Sequence, residues 1–262
     1  MTTDKMIAKK DGAVGRMIFN NPERRNAVSL EMWEAMEEIV GDFNADDNIR
    51  VIVLSGAGDK AFVAGADVSR FQDERASAEG IERYGQKTAS ATEALYASAK
   101  PTIAQIRGFC IGGGVGIAGC CDLRIASDDA QFAIPAARLG LGYAYDNMSK
   151  LVALVGPAAA KELFFTARRF KADEALTMGL INRVVPVAEL QKTVDEYAEM
   201  IGDNAPLTVA AAKRTIDEIV KDPDKRNIEA CQHMVQACFD SADYTEGRTA
   251  FMEKRKAVFR GR

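Results

Sequence analysis

At 262 residues the chain is long enough for one large α/β domain, or for one domain with a helical appendage. Apolar residues make up 47% and charged residues 27%, values of a globular protein that exclude a disordered one. A net charge of −4 and a pI near 5.3 speak against a general nucleic-acid binder.

In chain order, two short strands are expected at Met6–Lys9 and Gly15–Phe19, joined by a turn at Asp11-Gly12 and ended by Asn20-Asn21-Pro22. Ser29 is placed to cap a helix whose Leu30, Trp33, Met36, Ile39, Val40 and Phe43 share one face. A buried strand Val51–Leu54, a helical region from about Ile81 to Ala99, and strands Thr102–Ile106 and Leu123–Ala126 follow. Strands alternating with helices through residue 126 predict an α/β core with parallel pairings. From about Asn147 the pattern is mostly helical. A short helix spans Asp173 to Gly179, a last strand is expected at Asn182–Val185, and Pro186, Pro206 and Pro223 punctuate further helices. Leu207, Val209, Ala210, Ile216, Ile219 and Val220 form too wide an apolar arc for one stripe, so that arc must meet the core or another subunit.

The opening Met1-Thr2-Thr3-Asp4-Lys5 lacks the basic-then-apolar order of a signal peptide. The most apolar stretch, Pro101 to Cys121, carries Arg107 and six glycines, and reads as core rather than a membrane span. A cytoplasmic protein is expected. Cys110, Cys120, Cys121, Cys231 and Cys238 are odd in number and lack framework spacing, which predicts buried free thiols in a reducing compartment. His233 is the only histidine, which removes most zinc sites and any Ser-His-Asp triad, and no metal is expected. It lies in a C-terminal helical stretch and reads as a structural or surface residue.

Two loops read as halves of one site: Ala61-Phe62-Val63-Ala64-Gly65-Ala66-Asp67 and Cys110-Ile111-Gly112-Gly113-Gly114-Val115-Gly116. Each joins a strand-like run to a helix-like segment, where a small residue lets a ligand approach a free backbone N–H. Two such groups on one carbonyl oxygen make an oxyanion hole.

Taken in order and spacing, the chain resembles the crotonase (enoyl-CoA hydratase/isomerase) family nearly end to end. The resemblance rests on Asn20-Asn21-Pro22 through Asn26-Ala27, Phe62 to Asp67, Gly112-Gly113-Gly114 with Cys121-Asp122, and Gln131-Phe132. It continues through Ala172-Asp173-Glu174-Ala175, Gly179-Leu180 and the tail Phe251 to Lys256. It implies an α/β fold, a spiral of ββα units over residues 1–200, with a helical region over 201–262 that assembles homotrimers or pairs of trimers. It also implies an acyl-CoA substrate, with no cofactor beyond the coenzyme A moiety. By motif position, the N–H groups of Ala66 and Gly113 would grip the thioester oxygen. Ala64 would lie along the adenine, and Asp67 and Val68 near the pantetheine. Arg24, Arg25 and Lys60 match nucleotide-facing loops, and Lys254 a tail lysine offered by a neighbouring subunit. As residues alone, these four cations are equally solvated surface charges, and Asp67 equally an acceptor of local backbone N–H bonds.

The chain departs from the family where hydratases carry their two glutamates. Those positions are Gly116 and Ala136, and neither can move a proton. The following loop reads Leu141-Gly142-Tyr143-Ala144-Tyr145-Asp146-Asn147-Met148, with two phenols and a carboxylate in four residues. Counted back from Gly156-Pro157, Tyr143 matches the catalytic tyrosine of a decarboxylating member of the family, although that enzyme has histidine where this chain has Ala66. The sharp reading is an enolate made by loss of CO₂ or of a proton, with Tyr143 donating a hydrogen bond or proton and Asp146 acting as base or orienting a phenol. The bland reading makes Asp146 the N-cap of a helix from Asn147 and packs both tyrosines. Arg138 could hold a substrate carboxylate or lie at the surface. A weak hydratase using Asp146 or water, and a non-catalytic acyl-CoA-binding scaffold, are the alternatives.

Overall fold

The computed structural model describes residues 3–67, 70 and 76–262. Strands β1 (Met6–Asp11) and β2 (Val14–Phe19) form an antiparallel hairpin around Gly12, whose φ of +57° suits the turn. To β2 are added, all parallel, β3 (Val51–Gly56), β5 (Thr102–Ile106), β7 (Leu123–Ser127) and β10 (Arg183–Val185), giving the order β1-β2-β3-β5-β7-β10.

The run Val51-Ile52-Val53-Leu54 does not alternate in polarity because both faces of β3 are covered. Ile52 and Leu54 face the main core, against helices α1 (Leu30–Ala45) and α2 (Ala78–Tyr96). Val51 and Val53 join Leu190, Val194 and Ala198 of helix α6 (Leu190–Gly202) on the other side. The predicted stripe of α1 is buried from Trp33 through Phe43, while Leu30 lies half-buried at its start.

A second sheet stands beside the first. It is built from β4 (Ala61–Val63), β6 (Phe109–Ile111), β8 (Gln131–Ala133) and β9 (Phe170–Lys171), in the order β4-β6-β8-β9. Its strands are two or three residues long, too short for an alternating pattern to mark them in the sequence. The two sheets together carry the ends of β4 and β6 to one corner of the core, and helix α3 (Gly113–Cys120) starts there.

The chain then forms helix α4 (Tyr145–Thr166), broken at Gly156 (φ +74°) with Pro157 restarting it, and the short α5 (Ala172–Thr177). Helix α4 begins two residues before the expected Asn147. Its N-cap is Ala144 rather than Asp146, which corrects the capping reading of that carboxylate. Helices α7 (Pro206–Ile219), α8 (Ile228–Asp240) and α9 (Ala242–Glu253) close the chain. Among the described residues no helix is long and apolar enough to cross a membrane. All five cysteines are free thiols, four of them buried, and His233 lies exposed on α8.

Candidate active site

Three loops are tied into one corner by Asn26. This residue is fully buried, and both it and Arg25 hold a left-handed backbone (φ +57° and +52°). Its Nδ2 donates to the carbonyls of Ala57 (2.9 Å) and Ala61 (2.8 Å), and its Oδ1 accepts from the Asn21 N–H (3.0 Å). The segment after β4 is then laced to residues 25–28. Ala64 N–H donates to the Arg25 carbonyl, Val28 N–H to Gly65 and Asp67 N–H to Val28. This parallel bridge uses the groups on either side of Ala66 and turns the Ala66 N–H the other way, with no backbone acceptor among the described residues.

Opposite it, Gly112 N–H is anchored on the Ala133 carbonyl (2.7 Å), and Gly113 opens helix α3, where an N–H has no intrahelical partner. The two loops meet at backbone distance. A β-carbon on Gly113 would stand 4.0 Å from the Ala66 nitrogen. One on Gly114 would stand 2.2 Å from the Val63 carbonyl oxygen, so only glycine permits the approach there. The two expected N–H groups are therefore brought together beside the positive end of a helix, a geometry suited to stabilising an oxyanion.

Helix α3 is closed at its far end by Arg124, a buried residue that the sequence reading passed over. Its guanidinium donates to the carbonyls of Ala118 and Cys121 at the end of α3 and to that of Leu180 beyond α5, tying the two segments together. Trp33 was read only as core. Its ring comes within 3.8 Å of where a Gly113 β-carbon would lie, and its indole N–H donates to the Tyr84 hydroxyl (3.0 Å). The pair forms an aromatic wall behind the glycine loop. No local signal separates such a tryptophan from any other apolar residue on a helix face.

The hydratase positions are as uncharged in space as in sequence. Gly116 is exposed, with nothing within 4 Å of where its β-carbon would be, and Ala136 is buried at 6% exposure. Tyr143 approaches the glycine loop instead. Its hydroxyl is 3.8 Å from the β-position of Gly112, and its ring packs edge-on against Phe164 at 5.0 Å. Burial pushes its phenol above the ordinary value of 10, so the group is a proton holder at neutral pH. Asp146 has different surroundings, exposed in the first turn of α4. Arg138 is exposed on the 3₁₀ turn Pro135–Leu139.

The expected nucleotide contacts are dispersed on the surface around this corner. Arg24, Arg25, Lys60 and Lys254 are exposed, and Arg25 lies over the Phe109 ring at 5.1 Å, a ring that Arg169 also covers at 5.1 Å. Ala64 is half-buried and Asp67 buried, while Val68 lies outside the described residues. Lys254 takes a left-handed turn (φ +54°) at the end of α9.

Fold and site together define an α/β protein of the crotonase type. The enoyl-CoA hydratase/isomerase family profile matches residues 9–262, and the chain belongs to that family. It is 37% identical to a short-chain-enoyl-CoA hydratase of Clostridium acetobutylicum, over 98% of this chain and 97% of the relative. It is 35% identical to a crotonyl-CoA hydratase of Syntrophomonas wolfei, over 99% of each. The crystal structure of an enoyl-CoA hydratase/carnithine racemase from Magnetospirillum magneticum superposes with a TM-score of 0.95 at 34% identity, over 100% of this chain and 97% of that one.

Proposed function

We propose that this chain acts on an acyl-CoA thioester whose carbonyl oxygen sits between the N–H groups of Ala66 and Gly113, and that the enolate formed there arises by decarboxylation or double-bond isomerisation. The observation that carries the reading is the exchange of proton carriers around the hole. Gly116 and Ala136 offer none, and a half-buried phenol, Tyr143, stands at the glycine loop instead.

A thioester enolate is too unstable to form unaided in water, and two fixed N–H dipoles lower its cost without reorganisation. Tyr143 then delivers a hydrogen bond or a proton on the substrate side. Asp146 is the solvent-side carboxylate of the same loop, placed to orient the phenol or exchange protons with water. Arg24, Arg25, Lys60 and a neighbour's Lys254 receive the phosphates, with Ala64 along the adenine and Asp67 and Val68 at the pantetheine. The assembly is a homotrimer or a pair of trimers, in a cytoplasmic setting.

The names of the relatives favour a second reading, hydration of a short enoyl-CoA. Purified protein offered crotonyl-CoA, methylmalonyl-CoA, ethylmalonyl-CoA and 3-enoyl-CoAs separates the two. The expected outcome is CO₂ release or double-bond migration with slow hydration. Efficient hydration of crotonyl-CoA would sink the first reading, and tight acyl-CoA binding with no turnover would indicate a scaffold.

A further inference from the structure

Arg107 stands half-buried in the two-residue connection between β5 and β6. Its Nε is buried and has no hydrogen-bond partner among the described residues. Burying a polar N–H without an acceptor costs free energy, more so when the group is charged.

The side chain lines a cavity of about 400 Å³ at the carboxyl ends of the neighbouring parallel strands β3 and β5, on the face that α6 covers. That volume lies in the range of small-molecule sites, and the carboxyl ends of parallel strands are where open α/β sheets receive ligands. Among the described residues no acidic side chain lines the cavity. The carboxylates around it are already engaged: Asp195 by Arg16 at 2.8 Å and by the Gln191 amide, Asp128 by the Val187 N–H, and Asp129 by the Ser127 hydroxyl and the Gly108 N–H. Gln191 in turn accepts from Gln105 at 3.0 Å, so this amide chain is committed within the protein. The first turn of α6 borders the space through Leu190 and Gln191, bringing the positive end of that helix to it. Ser55 adds a hydroxyl, and the remaining wall is hydrocarbon from Ile7, Ile18 and Leu190.

We propose that this cavity is a binding site for a small organic carboxylate, its head on the Arg107 guanidinium and its short hydrocarbon body against Ile7, Ile18 and Leu190. A carboxylate matches the planar fork of arginine in two parallel hydrogen bonds. The apolar wall selects a ligand with a hydrocarbon body over a bare inorganic anion, which would leave that wall wet. The cavity opens on the α6 face of the first sheet and reaches the Ala57 and Ala61 segments that Asn26 holds at the edge of the thioester corner.

The test is calorimetric titration of the full chain with butyrate and with inorganic phosphate, at ionic strength fixed by chloride. The wild type is expected to bind butyrate saturably, with phosphate at least about tenfold weaker, the ratio that 1.4 kcal/mol of buried hydrocarbon supplies. Arg107→Met, which keeps the apolar stem, should weaken butyrate at least about tenfold, and Arg107→Lys by less. Arg107→Met should also melt at a higher temperature than wild type without ligand, since a buried N–H without an acceptor has been removed. Absence of saturable butyrate binding to the wild type overturns the proposal. So does phosphate binding as tightly as butyrate. A tenfold rise in KM for acyl-CoA in Arg107→Met also overturns it, because the cavity would then belong to the coenzyme A site.

Discussion

The chemistry of this corner depends on which residue holds a mobile proton. Burial favours the neutral form of a phenol, so Tyr143 keeps its proton at neutral pH, which in the proposed reaction makes it a donor rather than a base. Tyr143→Phe should lower kcat at least about tenfold on whichever thioester is turned over, the low side of acid–base effects. The sign of the pH dependence follows from the direction of the shift. A raised phenol stays protonated past its ordinary value of 10, so the wild-type rate should be flat on the alkaline side of neutrality and fall only above that value. A rate that instead climbs with pH toward that value would make Tyr143 a base and refute the donor role. Asp146 is exposed on the first turn of α4. With the proposed role of orienting the phenol or exchanging protons, Asp146→Asn should lower kcat at least about tenfold, and an unchanged rate would remove it from the chemistry.

At the scale of elements, the proposed oxyanion hole would depend on helix α3 and on what closes that helix. Arg124 donates to the carbonyls of Ala118, Cys121 and Leu180 from a buried position. Arg124→Met takes this donor from the Cys121 and Leu180 carbonyls, while Ala118 keeps the Cys121 N–H, and should cost about 3 kcal/mol in urea denaturation, the penalty of leaving one or two buried groups unsatisfied. None of this was legible beforehand, because an arginine at the head of a strand gives no sign of which carbonyls it will meet. What was legible rested on long periodic runs. The strands Val51–Leu54 and Thr102–Ile106 and the α1 stripe were placed from their apolar pattern, and the glycine loops from their composition. The second sheet escaped because β4, β6, β8 and β9 are held by neighbours rather than by any pattern of their own. The C-terminal tail is a further element set by charge. Glu246 accepts from the Val258 N–H and from Arg255, and Asp243 from the N–H groups of Arg260 and Gly261. Arg255 first, then the Val258 N–H, holds the Glu246 carboxyl down to about 2, from an ordinary value of 4.5. A depressed carboxyl contributes above its unfolded value and loses that contribution as pH falls toward 2. Hydrogen exchange at Val258, corrected for intrinsic rates, should therefore be slow at pH 6 and accelerate between 4.5 and 2; protection unchanged across that window would deny the clamp.

For the whole molecule, the question is what covers the C-terminal helices. Phe251 is 83% exposed and Met252 79%, at the end of a helix whose neighbours also leave Ile216, Ile219 and Phe239 more than half exposed. An apolar groove of about 1110 Å³ runs among α7, α8 and α9, lined in part by Leu207, Val235, Phe239 and Phe251. A patch of this kind on a single chain marks an interaction site, and the wide apolar arc of α7 had pointed to one from the sequence alone. Light scattering should give a mass three or six times the 28.4 kDa of one chain. Fully burying a phenylalanine is worth about 1.5–3 kcal/mol, so Phe251→Asp should raise the dissociation constant at least about tenfold, and a charge left in the interface adds to that. Lys254 lies three residues beyond Phe251 on the same tail, so the coupling extends to substrate. If Lys254 of one subunit serves the nucleotide of the next, dilution of Phe251→Asp below its assembly threshold should raise KM for acyl-CoA. Lys254→Ala should give the same rise without dissociation. A monomeric wild type with an unchanged KM on dilution would instead confine the whole substrate site to one chain and leave the exposed tail to some other partner.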